Sequence, residues 1–493
     1  MSHSVLWIAP VLMASVTGAL GCVGDIGSLP DNGTNSNLTG SDASAPVPMR
    51  SGSATSGSSG VSTAPGGSGG GGTSPSNSGT VGGASYDAGS APPLGAVVAD
   101  AGAVGPLPEA GGGTLHSATV LSVVGNQLMS GGKPVRLIGV NYPGTEYMCL
   151  GGSSNGMFQG PSDQSLVAAL KGQKGQAAWR INTVRVPLNE DCWLGINGVP
   201  AQQSGTAYQN AVMTFVKMLR QSGFYVILDL HWNAPGNYLS DAQQPMADAD
   251  HAPTFWKSVA TVVNAMTNRD NGILFDLYNE PAIYPPNATV TGTYPDDQSW
   301  WNCWQKGGCQ VTVSNGVTGG QPNSSCPIYP NPLPPPSKSW QVAGMQSLVD
   351  AVRGAGATNV ILLGGLGVAN ILDHWLEHMP TDSLSPPQIA ASLHQYNVAV
   401  GTTASYWDTT VAPIAAKVPV VTGELGEMDN AVSFINGFMG WADQHGVSYV
   451  AWAFNPYGSP ALVTGFDGTA TTFGAGYRSH IASVAVALAP APL

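Results

Sequence analysis

Basic residues are scarce in this sequence. Of its 493 residues, 16 are Lys or Arg and 29 are Asp or Glu, so that the formal net charge at pH 7 is -13. A protein that binds a nucleic-acid backbone or an anionic membrane surface needs a concentration of positive charge, which this composition does not supply. We therefore expect no nucleic-acid partner. A neutral substrate rich in hydroxyl groups fits the composition better.

The sequence patterns that hold metals and phosphates are also missing. No set of His, Cys and Asp residues has the spacing of a zinc site, and no glycine-rich loop leads from a strand into a helix. The acidic pair Glu190 and Asp191 and the pair Met428 and Asp429 are interpreted as polar groups of loops rather than as a cation site. The sequence thus predicts neither a metal nor a cofactor.

The apolar run at residues 5–20 is shorter than the roughly 20 residues of a transmembrane helix. It ends in Ala19, Leu20, Gly21 and Cys22, which predicts a secretion signal at residues 1–22. This junction resembles a bacterial lipobox, although Leu is more usual at the first of these positions and no Lys or Arg precedes the run. Lipidation, ordinary cleavage and a misassigned start remain open. We expect an extracellular or cell-surface protein, with a lipid on the cysteine as its only membrane contact.

Residues 23–113 consist mainly of Gly, Ser, Ala, Thr, Pro and Asn, with Tyr86 as the one aromatic residue. Such a segment cannot bury enough apolar surface to offset the entropy lost on ordering. It is predicted to be a disordered linker that tethers a single folded domain at residues 114–493.

The folded domain alternates short apolar runs, typical of buried strands, with stretches of helical spacing. Two runs around a Gly-Asn turn predict a β-hairpin at residues 118–124 and 127–129. Eight further strands are predicted at residues 135–140, 183–187, 225–232, 273–278, 359–363, 390–396, 418–426 and 449–455. One helix is predicted to end at residues 177–181. Three others are predicted at residues 211–221, 340–352 and 482–488.

Two of these strands lead to glutamates. The strand at residues 273–278 is followed by Asn279, Glu280 and Pro281. Because neighbouring side chains of an ideal strand face opposite sides, the amide and the carboxylate can share a site only where the strand bends or ends. The seventh predicted strand delivers Glu424 between glycines. Cleavage of a glycosidic bond requires two such carboxylates, one to protonate the leaving oxygen and one to attack or to activate water.

The second predicted strand contains a charge among apolar residues. A buried Arg185 is costly unless it is paired, so we expect a carboxylate partner for it. Hydrogen bonds to backbone carbonyls at the end of the strand remain the alternative.

These residues resemble glycoside hydrolase family five, the cellulase family. In that family an Asn-Glu-Pro strand carries the acid/base and a later Gly-Glu-Phe-Gly-like strand carries the nucleophile, for which the sequence has Leu425 in place of the aromatic residue. The resemblance extends in strand order over about three-quarters of the chain. It implies an α/β fold, namely a (β/α)8 TIM barrel with the N-terminal hairpin as its cap. It also implies Glu280 as the acid/base and Glu424 as the nucleophile.

The resemblance further implies a set of substrate-binding residues: Arg185, His231, Asn279, His394, Tyr396 and Trp452. The arginine would contact the nucleophile, and the asparagine would bind the sugar 2-hydroxyl. The His-x-Tyr pair would lie beside both carboxylates, while the other histidine would line the sugar site and the tryptophan would stack on a sugar ring. Taken alone, the histidine at 231 is more typical of a structural residue.

A long proline-rich connection at residues 282–339 contains Trp300, Trp301 and Trp304. Aromatic rings at a catalytic face provide stacking surfaces for sugars, but they equally build a small core for the insertion itself. Both interpretations remain open.

Export permits disulfides, and five cysteines remain if Cys22 carries a lipid. We expect Cys149 to pair with Cys192, because both follow neighbouring strands at one end of the barrel. Cys303 and Cys309 are expected to form a local clip, which leaves Cys326 over.

The sequence therefore predicts a secreted, monomeric, retaining β-glycosidase that cleaves internal β-1,4-glucosidic bonds of a polysaccharide by double displacement. One alternative is mannanase or β-1,3-glucanase activity on the same scaffold. Another is a non-catalytic surface protein that binds carbohydrate. A mere binding protein has no chemical need for two poised carboxylates, which counts against the last alternative.

Overall fold

The computed structural model describes residues 121–151, 156–172, 177–283, 298–313 and 338–486. The predicted secretion signal, the predicted linker, Cys22 and Cys326 lie outside the described residues, as do the first residues of the predicted hairpin. No helix in the described ranges is long and apolar enough to cross a membrane.

Eight parallel strands form a closed barrel, which confirms the predicted fold. The ring closes where Val450 of the last strand pairs with Gly139 of the first. All strand residues are buried, because side chains fill the barrel and helices cover it. In chain order the strands are Ile138–Asn141, Thr183–Asn189, Tyr225–Trp232, Ile273–Asp276, Ile361–Gly364, Ile389–Tyr396, Val420–Gly426 and Ser448–Ala451.

A small antiparallel sheet covers the end of the barrel at which the strands begin. Its strands are Leu121–Val124, Gln127–Ser130 and Lys133–Val135. Leu121 and Ile227 belong to one buried cluster, formed by this sheet together with the lower layer of the barrel. The predicted hairpin is confirmed as the cap. Its third strand was not predicted, and it includes residue 135, which the sequence assigned to the barrel.

Helices alternate with the barrel strands and pack around them. The helices of seven or more residues are Gln164–Leu170, Thr206–Gln221, Ala252–Thr267, Gln298–Lys306, Met345–Gly354, Ser433–His445 and Thr472–Ile481. Shorter helical segments are Met148–Gly151, Glu190–Leu194, Ala201–Gln203, Leu366–Ala369, Trp375–His378, Ala404–Tyr406, Trp407–Val411 and Ala412–Ala415.

Three helix predictions were wrong in position. Residues 177–181 are irregular, and their Trp179 is buried edge-on against a phenylalanine, so their apolar residues serve the core without a helix. The helix predicted from residue 340 begins at Met345, because the residues before it form a strand. The last helix, Thr472–Ile481, ends before the predicted range 482–488, of which residues 487 and 488 lie outside the described part.

The described part of the connection after the fourth barrel strand forms a small structure of its own. The helix Gln298–Lys306 precedes two antiparallel strands, Gly307–Val313 and Lys338–Ala343. Trp301 and Trp304 of this helix are buried, and Trp304 donates its indole N–H to the carbonyl of Gly364 over 2.9 Å. These two tryptophans therefore build a core rather than a stacking surface.

Both predicted disulfides are present. Cys149 is bonded to Cys192, which ties the loop after the first barrel strand to the helix after the second. Cys303 is bonded to Cys309 within the insertion.

Candidate active site

Glu424 lies near the end of the seventh barrel strand and is buried. The register of this strand shifts against both neighbours just before or at this residue, so the strand is irregular and Glu424 pairs with His394 of the sixth strand. A β-carbon at Gly423 would come within 3.1 Å of the histidine Nε2. The glycine thus leaves room for the imidazole beside the carboxylate.

Glu280 follows the fourth strand, which ends at Asp276. Its backbone φ of 50° lies in the left-handed region, which is uncommon for a residue with a side chain and turns the chain sharply before Pro281. Because of this turn, Asn279 and Glu280 both reach the same site although they are adjacent. The predicted end of the strand before these two residues is confirmed.

The two glutamates lie close together on either side of an imidazole. Nδ1 of His394 is 3.1 Å from Oε1 of Glu280 and 3.7 Å from Oε2 of Glu424. One carboxylate oxygen of each glutamate and the histidine nitrogen all lie within 4.8 Å of one another. This spacing favours the retaining arrangement, in which the carboxyl groups are about 5 to 5.5 Å apart, over the inverting one at about 6.5 to 9.5 Å.

The environments of the two glutamates differ. Burial raises the pKa of Glu280 well above its usual value, the negative charge of Glu424 raises it further, and Arg185 opposes the shift. Glu424 receives two strong hydrogen bonds, from Nη1 of Arg185 over 2.9 Å and from the hydroxyl of Tyr396 over 2.6 Å. The raised pKa of Glu280 therefore favours its protonated form, while Glu424 is held in place by two donors.

The histidine and the tyrosine are both held neutral. Burial, assisted by the charge of Arg185, lowers the pKa of His394 well below its usual value. Burial and the charge of Glu424 raise the pKa of Tyr396. The tyrosine consequently keeps its hydrogen for the glutamate. The same cluster of Glu280, His394 and Glu424 has the side chains of a metal site, but the adjacent guanidinium disfavours a cation there.

Comparison with known proteins identifies the family. The family profile described as Cellulase (glycosyl hydrolase family 5) matches residues 169–458, more than half of the chain. The chain belongs to glycosyl hydrolase family 5. It is accordingly a glycoside hydrolase, as the sequence predicted. A search of curated proteins found no match to this hydrolase.

Solved structures resemble the family 5 barrel at low sequence identity. A β-glucanase from Saccharophagus degradans is 18% identical with a TM-score of 0.50, over 74% of this chain and 93% of the glucanase chain. The same glucanase has been solved with cellotetraose, with 19% identity and a TM-score of 0.49 over the same shares of the two chains. A β-mannanase from Thermomonospora fusca, solved with mannotriose, is 18% identical with a TM-score of 0.47, over 76% of this chain and 99% of the mannanase chain. At such identities the first of these likenesses supports the fold alone.

Arg185 of the hydrolase is fully buried at the centre of a polar network. Besides Glu424, it pairs with Asp229 at 3.2 Å and with Asp276 at 3.1 Å, and it donates to Oδ1 of Asn279 over 2.9 Å. The carboxylate partner expected for this arginine is thus present, and the backbone-carbonyl alternative is wrong. The two aspartates were missed at the sequence level. The signal that found the arginine, a charge in an otherwise apolar strand, would have found them too.

Asn279 is held from both ends of its amide. Its Oδ1 accepts from the arginine, and its Nδ2 donates to Oε1 of Gln243 over 2.8 Å. Nε2 of Gln243 in turn donates to the backbone carbonyl of Glu280 over 2.8 Å. This glutamine lies in the loop after the third barrel strand, and no pattern in the sequence indicated it.

His231 and Trp452 form one wall of the site. Their rings are stacked, with centroids 5.6 Å apart and an interplanar angle of 10°. Nδ1 of His231 contacts Oδ2 of Asp229 at 2.8 Å; burial alone would lower the pKa of the histidine, but this aspartate outweighs it and the pKa is raised. The tryptophan also shares a buried cluster with Tyr396. The structure therefore brings all eight predicted site residues together.

Glu427, the other carboxylate near the end of the seventh strand, is occupied elsewhere. Its Oε1 accepts from the hydroxyl of Ser433, and its Oε2 accepts from the backbone N–H groups of Phe434 and Ile435. It therefore satisfies the free N–H groups at the start of the helix Ser433–His445. This binding leaves Glu424 as the carboxylate that faces Glu280.

Proposed function

We propose that this family 5 hydrolase is a retaining β-glycosidase that cleaves internal β-1,4-glucosidic bonds of a glucan. The observation that carries the proposal is the pair of adjacent carboxyl groups with different environments: burial raises the pKa of Glu280, and Glu424 is bonded to Arg185 and Tyr396. A pair of this kind performs double displacement.

In the first step Glu424 attacks the anomeric carbon, and the bond to the leaving sugar breaks as Glu280 donates its proton to the leaving oxygen. A covalent glycosyl ester on Glu424 results. In the second step Glu280, now a carboxylate, takes a proton from water, which attacks the anomeric carbon and releases Glu424. Formation of the ester removes the negative charge of Glu424 beside Glu280 and so lowers the pKa of Glu280 for its role as a base, and release of Glu424 restores that charge.

The surrounding residues position these two groups. Arg185 and Tyr396 fix both oxygens of Glu424, while neutral His394 lies within hydrogen-bond distance of Glu280. The second hydrogen on Nδ2 of Asn279 is available to the 2-hydroxyl of the sugar, an interaction that strengthens in the transition state. Trp452 offers its ring to the apolar face of a sugar.

The choice of β-1,4-glucan rests on the family's description as cellulase and on the glucanase fold among the structural neighbours. We further propose that the protein acts outside the cytoplasm, on the basis of the signal-like residues 1–22, and as a monomer. Its polysaccharide partner would then be reached at or beyond the cell surface.

A hydrolysis panel tests the substrate. The purified protein is incubated with carboxymethylcellulose, mixed-linkage β-glucan, β-1,3-glucan and galactomannan, with the E424Q variant as the control for contaminating activity. We expect release of reducing ends from the first two polymers with a rapid fall in viscosity, which reports internal cleavage. Preference for galactomannan or for β-1,3-glucan would replace the proposed substrate. Proton NMR of the first products separately tests whether the β-configuration is retained.

A further inference from the structure

A second group of metal-ligating side chains lies in the loops after the second and third barrel strands. Glu190 is the first residue of the helix Glu190–Leu194. His251 directly precedes the helix Ala252–Thr267, and Asp248 lies three residues before His251. One donor atom from each of the three side chains lies within 4.8 Å of the other two. These residues are separate from the catalytic pair.

The spacing of the donor atoms suits a shared ion. Nδ1 of His251 is 3.8 Å from Oε1 of Glu190 and 3.9 Å from Oδ1 of Asp248. Two ligands bound at about 2.0 to 2.2 Å to one Zn²⁺ or Mn²⁺ lie about 2.8 to 3.6 Å apart in octahedral or tetrahedral geometry. The atoms are therefore too far apart for good hydrogen bonds to each other, and they would have to approach by a few tenths of an ångström to share an ion. Nδ1 of His251 also lies 3.3 Å from the carbonyl oxygen of Ala234, a contact that the ion would replace.

The two carboxyl groups of this cluster are buried with few hydrogen-bond donors around them. Glu190 is fully buried, its Oε2 has no hydrogen-bond partner, and its Oε1 accepts one long bond from the N–H of Ala234 at 3.4 Å. Asp248 is also fully buried; it accepts from the N–H of His251 and the amide of Asn233, and its carboxyl shares a further hydrogen bond with that of Asp250. Among the ion pairs of the described residues, the partner of both Glu190 and Asp248 is His251. An unpaired buried carboxylate costs several kcal/mol, and a bound cation removes that cost.

We propose that Glu190, Asp248 and His251 bind a divalent metal ion that fastens the loop 233–251 to the end of the second barrel strand. Two carboxylates and one imidazole favour Zn²⁺ or Mn²⁺ over Ca²⁺, which prefers oxygen ligands alone. The proposal departs from the sequence-based interpretation of Glu190 as a polar group of a loop.

The loop that the ion would fasten reaches the catalytic residues. It contains Gln243, which bonds both to the side chain of Asn279 and to the backbone carbonyl of Glu280. The same loop is attached to the residues after the fourth strand through the hydroxyl of Tyr278, which lies 2.6 Å from the carbonyl oxygen of Gln244 and 2.8 Å from Oδ1 of Asn233 and donates its one hydrogen to either acceptor. The ion takes no part in the reaction. Its role is to hold Gln243 in position, and with it the turn that presents the acid/base.

The competing explanation is a proton shared between Glu190 and Asp248 in place of the ion. The substitution E190Q separates the two explanations, because a glutamine is nearly isosteric with a protonated glutamic acid but is a poor ligand for a cation. A shared proton predicts that E190Q folds with unchanged or increased stability at pH 7 and that chelators affect neither protein.

The experiment uses the full chain without a histidine tag. Wild type, E190Q and the surface control E377Q are treated with EDTA, dialysed, and then given one equivalent of Mn²⁺, Zn²⁺ or Ca²⁺. We expect the wild type and E377Q to retain one Mn²⁺ or Zn²⁺ per chain by mass spectrometry of the metal and to gain at least about 3 °C in melting temperature. E190Q should show neither effect, and H251Q should lose the preference for Zn²⁺ and Mn²⁺ over Ca²⁺.

The proposal is overturned if the wild type retains no metal, or if the ion raises the melting temperature of E190Q as much as that of the wild type. Stability of E190Q equal to that of the wild type, with no response of either to EDTA, would support the shared proton instead. Metal content and melting temperature do not depend on the substrate, so the result stands whatever polysaccharide the enzyme cleaves.

Discussion

Tyr396 donates its hydroxyl hydrogen to Oε2 of Glu424 over 2.6 Å, while Arg185 binds the other oxygen of that carboxylate. All three side chains are buried, so this hydrogen bond acts in a medium of low dielectric. The tyrosine therefore orients the proposed nucleophile.

The substitution Y396F should lower kcat about 10- to 100-fold, because a hydrogen bond to a charged group contributes about 1.5 to 3 kcal/mol. Steady-state measurement of kcat and KM for Y396F and the wild type tests this prediction. An unchanged kcat in Y396F would contradict a role of the hydroxyl in holding Glu424.

A second prediction concerns Glu146, a buried residue of the loop after the first barrel strand. Burial, the largest cause, raises its pKa from 4.5 to about 7. Protonated Glu146 therefore stabilises the fold fully below about pH 4.5, the pKa of this side chain in the unfolded protein, and the stabilisation is lost as the pH rises through about 7. The loss in the free energy of unfolding is up to about 3 kcal/mol in all. The substitution E146Q should remove this loss, because the amide keeps an acceptor for the N–H of Gly144 and has no charge to desolvate.

The test compares the melting temperatures of the wild type and E146Q between pH 4.5 and pH 8. The stability of the variant should fall less over this range. Other carboxyl groups with raised pKa values, such as Asp191 and Asp276, remain in both proteins, so the difference isolates residue 146. If the melting temperatures of the two proteins changed equally with pH, ionisation of Glu146 would not destabilise the folded protein.

The barrel strands could be predicted because burial on both faces leaves continuous apolar runs, as at Tyr225–Trp232, where the observed strand has the predicted bounds. Polar residues at the ends of such runs indicated the site, because the carboxyl ends of parallel barrel strands meet on one face. The strand around residue 340 was mistaken for helix because its partner strand begins at Gly307, more than 30 residues earlier. Pairing across such a distance leaves no local pattern.

Side-chain contacts between loops were equally out of reach. Gln243 lies in a loop without periodicity, and only the folded chain brings it to Asn279. The same holds for Glu190 and His251, which are 61 positions apart and lie 3.8 Å from each other in the fold. The acidic pair at 190 and 191 was visible in the sequence, but the burial of Glu190 without a partner was not.

The disulfide between Cys149 and Cys192 gives a third prediction. It closes a loop with a sequence separation of 43 residues, for which the chain-entropy relation gives a stabilisation of about 4 kcal/mol. The double substitution C149S/C192S should lower the midpoint of urea unfolding accordingly. The pair C303S/C309S, with a separation of 6 residues, is the matched comparison and should have a smaller effect. Equal effects would contradict an entropic origin.

The roles of the two glutamates give the last prediction. E280Q removes the proton donor, so hydrolysis of polysaccharide should fall about 100- to 10,000-fold. Aryl glycosides with good leaving groups need no proton for departure, so their first step should be nearly unaffected in E280Q and the glycosyl ester should accumulate. Azide, which attacks the ester without a base, should then restore turnover and give a β-glycosyl azide. E424Q cannot form the ester, so azide should not yield the β-azide with either substrate. Rescue of E424Q rather than E280Q would reverse the assignment, because the residue whose loss is repaired by an external anion with retained configuration is the one that activates water.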